Sequence, residues 1–494
     1  MFRIKRFIKT QFTALAVLLL ISPFNADASS LFVDVNGDGE VNIADINAVI
    51  DYILKGEGAS PIDLDKNYLS AKEFGAVGDG VTDDTDALEQ LFEAAFMLKK
   101  SVFFDPGTYL IRRSLLLRSG MDVYGEDATL KKRSAATTTL TEPAGVGQTY
   151  IDVTSVDGFN VGDQFYIHNG DGANRCTYGI VTSIDGNRIY FTNIISDHQS
   201  NYPGCVFAYD AGTKVSTSFA LLRSWSTRFE CDGVSIHDLT LDGNRKNSEP
   251  KIWANSCIHF DSYLPGGYTG SYTGIEYRNV QRDMVIRNVV IKNSPCDAIS
   301  DQGEGGLIVR DCVIENPAMH GVHMGTVFNA AVVSNNTMTG SGAGAGVFFC
   351  QEVENVIVDG NTITSFNHGC SDEEFGTAAR FVTIRNNVFN DIKGYVFDFL
   401  KATGSFHAYG LQISNNEISD LRAVLFMGGY LDNVIISDNT VKSVANQPSR
   451  IIRAIHSRNV IIAGNKVPSS LSLDEPVNVS ESVNVIQDSN SWND

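Results

Sequence analysis

The sequence predicts an all-β chain wound as a parallel β-helix, a solenoid of stacked coils, and three observations lead there. Asn336, Asn361, Asn387, Asn416, Asn439 and Asn465 occupy one position in six consecutive segments of the form apolar, x, apolar, x, x, Asn, x, apolar, spaced 25, 26, 29, 23 and 26 residues apart. Periods of this length mark stacked supersecondary units that cannot bury their apolar face alone. Within each segment apolar residues alternate with period two, and no stretch of the repeat sustains a 3.6-residue stripe, so the units are strands rather than helices.

Each Asn sits in a short turn between two strands, and every coil returns above its predecessor. Ile286, Val309, Val333, Val358, Ile384, Ile413, Ile436 and Ile462 then form one inward column at the ~4.8 Å spacing of paired strands. A buried stack of side-chain amides must satisfy its polar groups, and identical Asn residues at that spacing can bond along the stack and to the turn backbone. Upstream the same position holds Val289, Cys312 and Leu239. There the column becomes apolar.

With 494 residues the chain suits an elongated repeat domain plus small additions. The 58 Asp and Glu outnumber the 38 Lys and Arg, a net charge of −20 that disfavours nucleic-acid backbones and anionic membrane surfaces. Residues 1–28 read as a signal peptide: Arg3, Lys5, Arg6 and Lys9, the apolar run at 14–21, then Ala26-Asp27-Ala28 as a small-x-small cleavage site. No cysteine lies near that site to carry a lipid, so the mature protein is expected to be secreted or periplasmic. The eight cysteines are too sparse for a disulfide framework; Cys257 and Cys312 read as small buried residues, and the pairing of Cys176 with Cys205 is left open.

Residues 34–45, DVNGDGEVNIAD, place Asp34, Asn36, Asp38, Asn42 and Asp45 at loop positions 1, 3, 5, 9 and 12, with the Glu40 carbonyl at position 7 and Gly39 at the sharp turn. Oxygen ligands in this pattern suit Ca²⁺, and an amphipathic helix follows, an EF-hand-like loop–helix. Residues 31–58 resemble one repeat of a type I dockerin. That resemblance implies docking onto a cohesin module of a scaffold protein, although dockerins carry two repeats and this chain has one. Residues 59–68 read as a linker.

The segment FGAVGDGVTDDTDALEQLFEAAF begins a 69–132 region in which acidic Asp83, Asp84 and Asp86 favour the start of an apolar-striped capping helix. In VFFDPGTYLIRRSLLL, Pro106-Gly107 turns between two short strands. Residues 133–213 break the repeat with alternating strands and Asp-Gly turns, an inserted small β-domain. The main solenoid is expected over 214–480, with a tail at 481–494. The N-terminal pair of segments resembles the signature of the pectate-lyase superfamily, to which polygalacturonases and rhamnogalacturonases belong. With the repeats the resemblance covers about residues 69–480 and implies a right-handed parallel β-helix acting on polysaccharides.

Aligning coils by the inward column puts a small residue, Cys257, Ala298, Gly321, Gly346 or Gly369, at the corner after each Asn turn, preceded by Ser256, Asp297, His320, Ala345 and His368. Asp297 and His320 are therefore expected one strand spacing apart, and the outward column runs His259, Ser300, His323, Phe348. Catalytic candidates are Asp297, His320, His323 and Asp301; substrate-binding candidates are His259, Glu304, Phe348 and Trp253, the two aromatics as stacking surfaces for sugar rings. Strand alternation alone would turn Asp301 inward with Met324 and Phe349, unless it belongs to the turn DQGEGG.

Asp297-Ala298-Ile299 and His320-Gly321-Val322 look like the Asp corner and His segment of polygalacturonases. This resemblance implies inverting glycoside hydrolysis by two carboxyl groups ~6.5–9.5 Å apart. Met319 stands where that family has Gly and no Asp-Asp pair appears, so Asp301 or Glu304 would supply the second acid. The alternatives are a polysaccharide lyase or uronate epimerase, which needs a base and a neutraliser of the sugar carboxylate, and a non-catalytic carbohydrate-binding β-helix.

Overall fold

The structure, a computed structural model, describes residues 66–492 apart from 169–175, 196–203, 225–230, 249–254, 261–281, 302–304, 373–378, 401–407 and single positions 326, 351, 447, 449, 470, 472 and 474. The signal-peptide segment and the calcium loop with Asp34, Asn36, Asp38, Glu40, Asn42 and Asp45 lie outside the described residues, as do Trp253 and Glu304. Among the described residues three parallel sheets of 14, 11 and 11 strands wind into a solenoid around one continuous core. Each coil contributes a strand to the first sheet, turns at the Asn position into the second, passes the small-residue corner into the third, and returns. In one coil these strands are Val285–Arg287, Val290–Lys292 and Ile299–Asp301.

The Asn register survives in detail. The Asn336 Nδ2 donates to Asn361 Oδ1 at 2.9 Å and to the Val309 carbonyl at 3.0 Å, while its backbone N–H donates to the same Oδ1 at 3.0 Å. This pattern repeats through Asn361, Asn387, Asn416 and Asn439 to Asn465, which donates to a seventh rung, Asn490. The seventh was masked in the sequence because Gln487 takes the inward place that Ile462 fills one coil earlier. Immediately before the ladder stand Asp238, Asn288, Asp311, Asn335, Gly360, Asn386, Asn415, Asp438 and Gly464, all left-handed at φ from 51 to 69°. Only Gly, Asn and Asp visit that region cheaply, which is why the turn keeps its composition where the ladder residue changes.

Close approach of successive coils explains the corner. A Cβ on Gly346 would meet Ile363 Cγ2 at 2.5 Å and the Gly369 carbonyl oxygen at 2.9 Å. Gly346→Ala should therefore destabilise the chain by about 1–3 kcal/mol. Gly145→Ala, where a Cβ meets no atom within 4 Å, should stay within about 0.5 kcal/mol. Denaturant midpoints of the two variants make the comparison.

The helix α1 (Thr85–Leu98) lies against the first coils through Leu88, Leu91, Phe92 and Ala95, an i, i+3, i+4, i+7 face. Its acidic start is used differently from the expected dipole pairing. Asp84 turns into the glycine loop and accepts the N–H groups of Val77 (2.6 Å) and Gly78 (3.1 Å). Asp83 and Asp86 pair with Arg112 at 2.7 and 3.0 Å.

The insertion is a six-stranded sheet of its own, with an apolar core that includes Phe165, Ile167, Val181 and Phe191. It extends past the expected boundary, because Lys214–Thr217 pairs antiparallel with both Thr137–Thr139 and Gln164–His168. Cys205 lies in this core, Cys176 packs against Tyr166 and Tyr178, and no disulfide joins them. The insertion is tied to the first coils by Arg112 on buried Asp163 (2.8 Å) and by Ser114 on the Gln164 side-chain oxygen (2.7 Å). Among the described residues no helix is long and apolar enough to cross a membrane.

Candidate active site

The third sheet carries the cluster. Its strands Ile258–Phe260, Ile299–Asp301, Val322–Met324 and Ala345–Phe349 pair in the register His259, Ser300, His323, Phe348. Period-two alternation makes this the outward column, with Phe260, Asp301, Met324 and Phe349 facing the interior. Asp301 is buried in that interior column, so the structure does not bring it to the outward cluster. Its expected grouping with Asp297 is corrected by the alternation of its own strand. His259 keeps the predicted register but is fully buried two coils from His323.

Asp297, His320 and His323 do converge, in a pairing that register alone misstates. Register alone sets Asp297 beside His320, one strand spacing away. Asp297 Oδ1 accepts the backbone N–H of His320 at 3.0 Å, and Oδ2 meets His323 Nδ1 at 2.8 Å. The corner carboxylate thus caps a backbone amide with one oxygen and holds an imidazole with the other. The His320 ring stacks on Phe348, with centroids 4.0 Å apart and 11° between planes, and its Nδ1 accepts the Ala345 N–H at 3.0 Å. Phe348 also meets the edge of His323 at 5.0 Å, so it orders both imidazoles.

These contacts assign the protons. An ionised carboxylate only accepts, so His323 carries a hydrogen on Nδ1, and in the neutral ring the lone pair then falls on Nε2. An imidazole whose Nδ1 accepts from a backbone amide is neutral with its hydrogen on Nε2, which makes His320 a donor. Burial pushes His320 down to about 4, only partly offset by the Asp297 charge. Burial also works against the Asp297 charge, but His323 beside it and the hydrogen bonds from both histidines hold its carboxyl below the ordinary value.

The His320 shift has a sign. Its pKa in the fold is lower than when unfolded, so the unfolded chain binds more protons between these values, and stability is lost as pH falls from about 6.5 towards 4. The melting-temperature difference between wild type and His320→Gln should shrink over that window. A constant difference would contradict the buried neutral imidazole.

The three side chains offer potential metal-ligand atoms within 4.8 Å of one another. The polarity is wrong for a resident ion. A metal-bound histidine donates its second N–H to an acceptor, whereas His320 Nδ1 receives a hydrogen and its Nε2 already bears one. The residues therefore fit acid–base work better than ligation.

Two features escaped sequence reasoning. Lys132 is fully buried with Nζ on the Asn255 carbonyl (3.3 Å) and Oδ1 and 4.7 Å from the Phe219 ring, and burial pushes it down to about 7. The alternation Ala128, Leu130, Lys132 pointed inward, and that was the available signal. The second is the continuation of the outward column through Ser371, Asp398, Met427 and Arg453. The same repeat alignment, carried further, would have shown it.

Residues 68–168 match the family model described as rhamnogalacturonase A/epimerase, pectate lyase-like, and residues 273–420 match the right handed beta helix region. The chain is similar to mannuronan C5-epimerase AlgE5 of Azotobacter vinelandii, 25% identical over 295 residues, 56% of this chain and 22% of that protein. It thus spans about a fifth of the length of that curated relative. Among solved structures, a tailspike protein mutant of E. coli bacteriophage HK620 in complex with pentasaccharide is similar over 89% of this chain and 68% of that one, at 12% identity and a TM-score of 0.50. An exopolygalacturonase of Thermotoga maritima is similar over 85% and 91%, at 12% identity and a TM-score of 0.47. At 12% identity the likeness to the tailspike protein is one of fold alone. The two family-model matches and the solenoid together support the pectate lyase-like superfamily, with the right-handed winding its β-helix model describes.

Proposed function

We propose that this chain acts on an acidic polysaccharide by removing the proton from the sugar carbon beside a carboxylate, the step common to C5-epimerases and polysaccharide lyases. The Asp297–His323 pair carries this reading. Asp297 holds His323 in the tautomer that presents Nε2 as general base, and the neutral His320 offers its Nε2–H to the charge that develops on the sugar carboxylate. Phe348 backs both rings. The partial similarity to a mannuronan C5-epimerase supports the same class of substrate and step.

Hydrolysis by a carboxyl pair needs the second group ~6.5–9.5 Å from the first when inverting and ~5–5.5 Å when retaining. In the outward column the next described carboxylate is Asp398, four coil spacings or about 19 Å beyond the coil of Asp297. Glu304, the other expected acid, lies outside the described residues. The test is incubation with polyuronates in D₂O. Deuterium at the ring carbon beside the carboxylate, or an unsaturated end group, is expected, and His323→Gln should abolish both. Reducing ends released with neither would overturn proton abstraction in favour of hydrolysis.

A further inference from the structure

Beyond the cluster, the outward column of the third sheet runs on through five more coils without a break in register: Phe348, Ser371, Asp398, Met427, Arg453. One side chain per coil at ~4.8 Å makes this a ruler along the solenoid axis, with Arg453 about 24 Å from His323. Arg453 is half-buried, and its Nη1 lies 3.9 Å from the Met427 sulfur. Among the described residues no carboxylate pairs with it. Neighbouring arginines in this acidic chain do have such partners: Arg450 holds Glu475 at 2.9 Å and Arg458 holds Asp432 at 2.7 Å. A guanidinium on the substrate-facing sheet, backed by a thioether and lacking a protein anion, is built to take an anion from a ligand.

Between the two ends the face changes character. Asp398 projects from the same column with His368 Nδ1 3.5 Å from its carboxylate, and His368 Nε2 accepts the Asn367 amide at 2.7 Å. Burial keeps His368 below its ordinary value, so this position presents a carboxylate and a neutral ring. The Asp398 carboxylate can accept hydrogen bonds from sugar hydroxyls and repels a uronate.

We infer that this column is a linear recognition face for a mixed polysaccharide, in which an acidic sugar reaches Arg453, a neutral hydroxyl-bearing sugar lies at His368–Asp398, and the reacting uronate lies at His323. The inference rests on the proposed chemistry for the position of the reacting sugar only. Affinities of the full chain for three probes test it: a uronate trisaccharide, an all-uronate octasaccharide, and an octasaccharide in which uronates are interspersed with neutral sugars.

Arg453→Gln should weaken the mixed octasaccharide about tenfold and leave the trisaccharide unchanged. Asp398→Asn, which retains an oxygen for the Leu400 N–H that Asp398 now accepts at 3.3 Å, should strengthen the all-uronate octasaccharide about tenfold. Equal losses on short and long oligomers in Arg453→Gln, or no gain in Asp398→Asn, would overturn the inference. The proposed chemistry fails separately, if the wild-type chain exchanges no proton on the trisaccharide that it binds.

Discussion

Asp297→Asn is expected to lower turnover on the order of a thousandfold while leaving the melting temperature nearly unchanged. The amide keeps an oxygen for the His320 N–H, so the corner retains its cap. What it loses is the acceptor for His323 Nδ1–H. An amide NH₂ in that place forces Nδ1 to accept and moves the ring hydrogen to Nε2, the position where the lone pair is needed. Losses of about 10²–10⁴ are typical when a general base is put out of action this way, the upper end being characteristic of a tautomer error. Steady-state rates on a polyuronate, with circular dichroism as the control for folding, make the measurement. Rates within a few-fold of wild type would show that Asp297 is a cap and nothing more.

The largest stability effect should come from the middle of the amide ladder. Asn387→Ala removes the acceptor for the Asn361 N–H and Nδ2 and the donor to the Val358 carbonyl, all buried. At about 1–3 kcal/mol per stranded group, and with a cavity left behind, the cost should reach about 3–5 kcal/mol. Asn336→Ala should cost about 1–2 kcal/mol less, because its Oδ1 serves only the Cys312 N–H and no amide side chain above it. Chemical denaturation resolves such a gap. Equal midpoints for the two variants would mean that the rungs act independently.

Cys312 shows how the ladder ends without a gap. Its Sγ lies 3.2 Å from the Arg310 carbonyl and 3.7 Å from that of Ile286, the carbonyls corresponding to those an Asn amide would reach. Above it Val289 and Leu239 fill the column with apolar volume. The coils bearing the cluster are thus the ones whose turn is held by packing in place of amide bonds.

Much of this was legible in the sequence because a solenoid repeats one local rule. The Asn rungs, the left-handed residue before each, the inward Ile and Val column and the small corners are all set by backbone pairing at a constant spacing. A one-dimensional alignment captures such a spacing. The same rule placed Asp297, His320 and His323 on adjacent coils, and strand alternation already hinted that Asp301 turns inward. Where one residue broke the pattern, as Gln487 did before Asn490, the reading stopped a coil short.

Register cannot choose between side-chain partners. His320 is the coil neighbour of Asp297, yet its ring rotates onto Phe348 and accepts the Ala345 amide, groups that belong to the next coil, and His323 takes the carboxylate instead. That choice depends on atoms some 25 residues away in the chain, on the burial that keeps His320 neutral, and on the space a corner glycine leaves. The sequence by itself determined the winding and the short list of reacting groups, because both follow from periodicity. Only the tertiary structure decided which imidazole is the base and which the donor, because rotamer and tautomer are set by packing between coils.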